Sequence, residues 1–555
     1  MKKGALCLII LFLVTSLASG VLAAEPQHII VNSEDWRDVY SVMLFSSLKG
    51  VTGSFLVSDR HATLILNSIG SRAHIWLFES RRVPFFVGFA SVARGKGYSV
   101  EEFSYTRMNL ELAKRAVDDF GIRNFIIIDD SYGYNAVSVA PYAVVSESYV
   151  LFADSDNLRD VESFLSGVDV GDILIYGHVD RAVRNALQQY SPEIINMDGD
   201  RFENNMEIVT KYLELKPGVK QAVLTNGEFL EREIMLGVEP VIFIGSGNVP
   251  DNVRTFIRDI GIDIGVLIGN ELVGAATTIR RQVGISVLEK SAQGARADQG
   301  SISQVEALDM FYLPTYILNL ELVSIVYNRA TNQIEVKFRN TVDQAIYFKG
   351  TYSVRTADGD LIRLGDIDPV FIDGREMKTL AYDVDTLNEN NLTIDAYVIY
   401  GESKGSLEKI ISRSIRVSTV QILDNCNLEL NSLKYSPQRD LFYVGVKNIA
   451  DVTCYADAEL IDVVVAGARV SFNMDGVKRI DSGETKDLKI KAALESEDFE
   501  DNELVKVRVY YGEREDSLVK TIEDNFKIEF VKADYILYVL VVLLVLLLLL
   551  SLIHI

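Results

Sequence analysis

Three short apolar runs recur at intervals of about 97 residues: Ile29-Ile30-Val31, Phe125-Ile126-Ile127-Ile128 and Ala222-Val223-Leu224. Each is followed by polar residues: Asn32-Ser33-Glu34, Asp129-Asp130-Ser131 and Asn226-Gly227-Glu228. Compact β-branched runs of this kind suit buried parallel strands that end in a loop before a helix. A second strand pattern follows in every copy, at 54–57, 149–152 and 241–244, and a third at 74–78, 172–176 and 265–268. Between them lie helix-period stretches at 157–165 and 250–260, the latter with Val253, Phe256, Ile257 and Ile260 on one face. Alternating strand and helix patterns predict a parallel sheet covered on both sides. The reading is three tandem small parallel-sheet α/β units, at 25–105, 106–200 and 201–290.

Past a Ser-, Ala-, Gln- and Gly-rich linker at 291–312, the helical period gives way to short alternating strands such as Glu335-Val336-Lys337-Phe338. This half is also duplicated. Asn340 returns as Asn448; Glu376, Lys378 and Leu380 return as Glu484, Lys486 and Leu488; Tyr400-Gly401-Glu402 returns as Tyr511-Gly512-Glu513. An offset of about 110 residues is a domain length typical of a β-sandwich. Two β-sandwich domains, 313–419 and 420–531, are expected, and they resemble the immunoglobulin-like stalk modules of surface proteins. The fold class expected is therefore multidomain, α/β plus all-β.

The two ends set the compartment. Lys2-Lys3, a short apolar core and small residues closing on Ala23-Ala24 form a secretory signal over 1–24, cleaved at those alanines. A nearly unbroken Leu, Val and Ile run at 534–555 is expected to span a membrane as a helix, giving a single-pass cell-surface protein with an extracellular N-terminal ectodomain. The final Leu550-Ser551-Leu552-Ile553-His554-Ile555 matches the translation of a common transposase adapter, so the natural span is expected to run on beyond it. In an oxidising compartment Cys426 and Cys454 are expected to pair, and Asn391-Leu392-Thr393 is a glycosylation candidate.

A formal charge of -23 argues against nucleic acid as a partner. Histidine is confined, between the ends, to His28, His61, His74 and His178, with no metal-ligand spacing. His178 follows a strand end, where α/β folds bind ligands. Gly245-Ser246-Gly247 has the look of a phosphate turn but lacks the Walker lysine, and no nucleophile motif is present. The expectation is a non-catalytic protein with neither cofactor nor metal.

One family shares the order of these elements. Glu239-Pro240-Val241-Ile242-Phe243-Ile244, then Val249-Pro250, then Val266-Leu267-Ile268-Gly269 resembles the bacterial cell-wall-binding repeat 2 modules, which come as triplets. Their linking motif, Gly-x-Asp-Arg-Tyr-x-Thr, is similar to Gly199-Asp200-Arg201-Phe202-Glu203-Asn204 and, in weaker form, to Tyr105-Thr106-Arg107-Met108-Asn109. The resemblance implies non-covalent attachment to an envelope polysaccharide, with Arg107, Asp200, Arg201 and Phe202 as contacts and arginine as the anion-binding group. Two other roles remain open on the residues: a structural envelope-layer protein assembling through contacts with other surface proteins, or a glycan or small-molecule receptor.

Overall fold

The structure, a computed structural model, describes residues 25–269, 272–290, 310–355, 361–385, 387 and 392–531. The signal segment with Ala23 and Ala24, the sequon asparagine Asn391, most of the expected linker and the apolar run at 534–555 lie outside the described residues. Among the described residues no helix is long and apolar enough to cross a membrane. The chain divides into two compact units. One holds the described residues of Met1–Ile195, Glu203–Ile244 and Val253–Thr315, the other those of Asn196–Phe202, Gly245–Asn252 and Tyr316–Ile555.

The first unit contains three four-stranded sheets of one topology. The first sheet is built from β1 (His28–Asn32), β2 (Gly53–Phe55), β3 (His74–Ser80) and β4 (Ser99–Tyr105), and the second from β5 (Asn124–Ile128), β6 (Ser148–Phe152), β7 (Ile173–Tyr176) and β8 (Glu193–Ile195). The third uses β9 (Gln221–Thr225), β11 (Val241–Phe243), β12 (Ile264–Ile268) and β13 (Ser286–Lys290), while β10 (Phe229–Glu231) lies apart. Their strand orders are β2-β1-β3-β4, β6-β5-β7-β8 and β11-β9-β12-β13, and every pairing within them is parallel. The three apolar runs are thus the inner strands β1, β5 and β9, buried almost throughout, as a strand covered on both faces must be. Sequence periodicity missed the fourth strand of each sheet, because these edge strands are half exposed and carry few apolar residues.

Local chemistry sets the helix ends. In Trp36–Lys49 the Asp35 side chain accepts from the Arg37 amide at the start, and Gly50 closes the end at φ 71°, a left-handed conformation that favours glycine. One buried-amide device joins successive sheets. Asn109, on helix Met108–Phe120, donates to Ser41 Oγ and the Val150 carbonyl and accepts from the Phe152 amide. Asn205, on helix Arg201–Leu215, repeats it with Ser138, Val241 and Phe243. In each case one side chain ties a helix of the preceding repeat to the edge strand of the next.

The end of the expected linker is structured. β14 (Met310–Tyr312) pairs antiparallel with β10, Phe311 packs on Phe55 and Phe85, and the Gly133 amide donates to the Pro314 carbonyl. This strap touches all three repeats.

In the second unit the first β module comprises β15 (Leu320–Asn328), β16 (Gln333–Asn340), β17 (Ile346–Arg355), β18 (Leu361–Gly365), β19 (Val370–Ile372), β20 (Met377–Asp383), β21 (Leu392–Gly401) and β22 (Lys409–Val420). The second comprises β23 (Leu428–Ser436), β24 (Leu441–Asn448), β25 (Cys454–Val465), β26 (Ala468–Asn473), β27 (Lys478–Ile480), β28 (Thr485–Lys491), β29 (Val505–Gly512), β30 (Lys520–Phe526) and β31 (Glu529–Phe530). The pairings correspond strand for strand, including a register shift between Leu322 and Ser324 that recurs between Leu430 and Ser432. Asn340 and Asn448, 108 positions apart, each donate to the carbonyl four residues on and to one at the end of a later strand, Ile372 on β19 or Ile480 on β27. Tyr327 and Tyr435 hydroxyls accept from the Leu387 and Leu494 amides. The difference lies in the last strand. β22 runs unbroken from β21 to β15, whereas its counterpart is split into β30 and β31, leaving sheets of four and five strands. One apolar core fills each module.

Candidate functional site

The linking segments were expected to offer cations and an aromatic ring to a polymer. Arg201 begins helix Arg201–Leu215, but its guanidinium is buried, 3.0 Å from Glu402 and 2.8 Å from Glu408. Asp200 accepts from the Ser403 hydroxyl and the Phe202 amide, and Phe202 is fully buried. A guanidinium enclosed by two carboxylates has no face left for an external anion, so Asp200, Arg201 and Phe202 serve as internal anchors. Burial pushes the Glu402 carboxyl up to about 8, with Arg201 opposing and Glu408 adding to the rise. Arg107 differs: it is more than half exposed at the start of helix Met108–Phe120 and pairs with Asp160. Structurally Arg107 and Arg201 are not counterparts; the equivalent positions are Asn109 and Asn205.

The strand-end loops are likewise engaged. Asp130 accepts from Arg37 at 2.7 Å, Asp129 from the Ser131 amide, and Asp154 from the amides of Asp156 and Asn157. Burial and nearby Arg184 lower the His178 pKa, so the ring is neutral at physiological pH. The Gly245-Ser246-Gly247 turn directs the Gly247 and Asn248 amides to the Glu408 carbonyl rather than to a ligand. Cys426 and Cys454 form a disulfide, Cα atoms 5.5 Å apart, that bridges β25 and the segment entering β23.

The most unusual chemistry lies where the two β modules meet. Lys378 on β20 is buried, its ammonium 2.6 Å from Glu459 on β25 and 4.2 Å from the centre of the Tyr510 ring. Glu459, with no exposure, also accepts from Arg508 at 3.0 Å and from the Tyr510 hydroxyl at 3.2 Å. Burial alone would lower the Lys378 pKa, but Glu459 and Tyr510 outweigh it and raise it. Beside this cluster the Asn473 amide nitrogen donates to Glu376 Oε2 and lies 3.5 Å from Asp457 Oδ2, so one amide spans two carboxylates from different modules. Burial, then repulsion from Asp457 and Asp373, pushes the Glu376 carboxyl up to about 7; burial likewise pushes Asp457 up to about 6, despite Lys378. Tyr347 of the first module hydrogen-bonds Ser471 of the second at 3.0 Å. Sequence reading found Glu376 and Lys378 only as repeat markers. A charged pair on an alternating strand reads as solvated, and nothing local shows that a second module covers it.

No protein-family model matches the chain, and no curated protein matches it. Among solved structures it is similar to the periplasmic chaperone SfaE (9% identity over 39% of this chain and 100% of that chain, TM-score 0.13). It is similar also to a chain of the CsuC-CsuE chaperone-tip adhesion subunit complex of Acinetobacter baumannii (11%, 39% and 100%, TM-score 0.14) and to E. coli alpha-2-macroglobulin (8%, 38% and 17%, TM-score 0.14). Likenesses this slight carry no argument about function, and they lend the cell-wall-binding resemblance no support.

Proposed function

We propose that this chain is a non-catalytic structural protein of a cell surface, exported and held on the membrane by its C-terminal apolar segment. In this reading the three α/β repeats organise the surface through contacts with other protein copies, and the two β modules act as spacers. The observation that favours this over polymer attachment is the burial of Arg201 between Glu402 and Glu408. The linking motif that would carry anion binding is engaged in internal bonds, and of its arginines only Arg107 remains accessible. Polymer binding stays as the second reading on Arg107 alone.

The test is co-sedimentation of the soluble segment 25–531 with host envelopes stripped of membrane, beside electron microscopy of the same segment alone. Ordered self-assembly, with pelleting that Arg107→Ala leaves unchanged, is the expected result. Saturable pelleting that falls with salt and is lost in Arg107→Ala would replace this reading with polymer attachment.

A further inference from the structure

The three α/β repeats share one plan, and two of them depart from it in ways the fold does not require. After its third strand the second repeat reaches its next helix through 177–180 and the third through 269–272, whereas the first takes 81–88, twice the length. This longer loop, Arg81-Arg82-Val83-Pro84-Phe85-Phe86-Val87-Gly88, is fixed by its backbone. Asn32 donates to the Phe86 carbonyl at 2.8 Å and accepts from the Phe86 amide at 3.0 Å, and the Glu34 amide donates to the Val83 carbonyl at 2.8 Å. Its side chains are not used in the same way: Val87 is 84% exposed and Val83 39%. Arg81 and Arg82 are exposed too, and among the described residues neither forms an ion pair. A loop held in one shape while its apolar and cationic side chains face water is ordered in advance for a contact.

The third repeat departs by loss. The helix between its first two strands, 14 residues long in the first repeat and 12 in the second, is cut to the three-residue turn Ile234–Leu236. The Tyr212 hydroxyl donates to the Gly237 and Val238 carbonyls, and Lys216 donates to Gly237, so the end of helix Arg201–Leu215 adjoins this turn. With the helix shortened, Leu215, Leu236 and Val238 are between 40% and 51% exposed. Glu233 and Glu239 stand beside them, and among the described residues neither forms an ion pair. Burial and then Glu233 raise the Glu239 carboxyl, with Lys216 opposing. The loop of the first repeat carries the complement of this patch, two unpaired cations beside exposed valines.

We propose that the 81–88 loop of one copy docks on the Leu236–Glu239 patch of a second copy. Arg81 and Arg82 pair there with Glu233 and Glu239, and Val83 and Val87 cover Leu215, Leu236 and Val238. This rests on the reading of the chain as a self-assembling surface protein and names the surfaces that meet. Because the two patches differ, the contact is heterologous: each bound pair keeps one free loop and one free patch, and copies add in a row. Confinement to one membrane raises the effective concentration of copies, which suits so small a contact.

The test uses full chains in phosphatidylcholine vesicles, Val87→Cys copies mixed with differently tagged Val238→Cys copies and oxidised. A disulfide-linked pair of unlike chains is expected, about tenfold above the dimer formed by either variant alone. Reversal of Arg81 and Arg82 to Glu on the Val87→Cys chain should lower the yield about fivefold, and reversal of Glu233 and Glu239 to Arg on the other chain should restore it, which also shows that the reversed chains fold. The same charge reversal at exposed Arg280 and Arg281 should change nothing. No excess of the unlike pair, or an equal drop from the Arg280 and Arg281 reversal, would overturn the proposal. Loss of the link when phosphatidylglycerol is added would assign the loop to anionic lipid and overturn it as well. Ordered arrays without this link would sink the inference and leave self-assembly standing; absence of both would sink both.

Discussion

Lys378 and Lys486 occupy the same place in two copies of one β module, and their surroundings are opposite. Each donates its ammonium at 2.7 Å to the carbonyl of a corresponding residue, Phe371 or Arg479, 108 positions apart. Lys378 is then covered by the second module and paired with Glu459, whereas Lys486 stays partly open to solvent and pairs with Glu484 at 3.3 Å. The neighbouring glutamates diverge with them: burial raises Glu376 to about 7, while the Asp481 amide holds Glu484 below the usual carboxylate range. A duplicated sequence thus gives duplicated local bonds. What differs is whether a neighbour removes the site from water, and that alone turns a surface pair into a junction.

The largest test of this contrast is to remove one lysine at a time. Lys378→Met leaves Glu459 buried with only the half-buried Arg508 to balance it and should destabilise the β unit by about 3–5 kcal/mol, the cost of breaking a buried pair. Lys486→Met should cost less than about 1 kcal/mol. Urea unfolding followed by tyrosine fluorescence measures both, and equal losses would break the comparison. A second contrast lies in the cores. Cys426 and Cys454 stand where the first module has Leu318 and Ile346, both buried in one apolar core, so a covalent link takes the place of purely apolar packing at these positions. Replacing both cysteines by alanine should cost the second module about 2–4 kcal/mol. Reductant should speed hydrogen exchange in 428–436 and leave 320–328 unchanged. Third, Asn340→Ala strips three carbonyls of their donor and Asn448→Ala two, one of them fully buried in each case, and each should cost about 1–3 kcal/mol. A large inequality between them would mean that the two modules rely on this corner differently.

These pairs also show what was legible in the sequence. The inner strands β1, β5 and β9 stood out because burial on both faces demands unbroken apolar runs, and the β duplication stood out because Asn340 and Asn448 hold a backbone corner that other residues do not satisfy. The edge strands β4, β8 and β13 did not, since a half-exposed edge needs no apolar pattern. The bridging role of Asn109 and Asn205 escaped notice, although Asn109 lay within the linking motif, because a polar residue on a helix reads as solvated until its strand-edge partners are known. For the same reason Arg201 looked like an anion contact: its partners Glu402 and Glu408 lie some two hundred positions away, and no local pattern links them to it.

The smallest expected effect concerns protons. The Glu376 carboxyl is raised from an ordinary 4.5 to about 7, first by burial and then by Asp457 and Asp373, with Lys378 and Asn473 opposing. The folded chain therefore holds this proton more tightly than the unfolded chain does. The stabilisation it brings is complete below about pH 4.5 and is lost as pH rises through 7. Because the group is only partly buried, solvent screening leaves a usable part of about 1–2 kcal/mol. Glu376→Gln, which keeps the shape and removes the charge, should raise stability at pH 8 and change it little at pH 5. Glu484→Gln should show the opposite trend, because a depressed carboxyl contributes above its ordinary pKa and loses that contribution as pH falls. Parallel pH profiles for the two variants would mean that the module junction does not set the charge state of Glu376, and the contrast between the two copies would then rest on Lys378 alone.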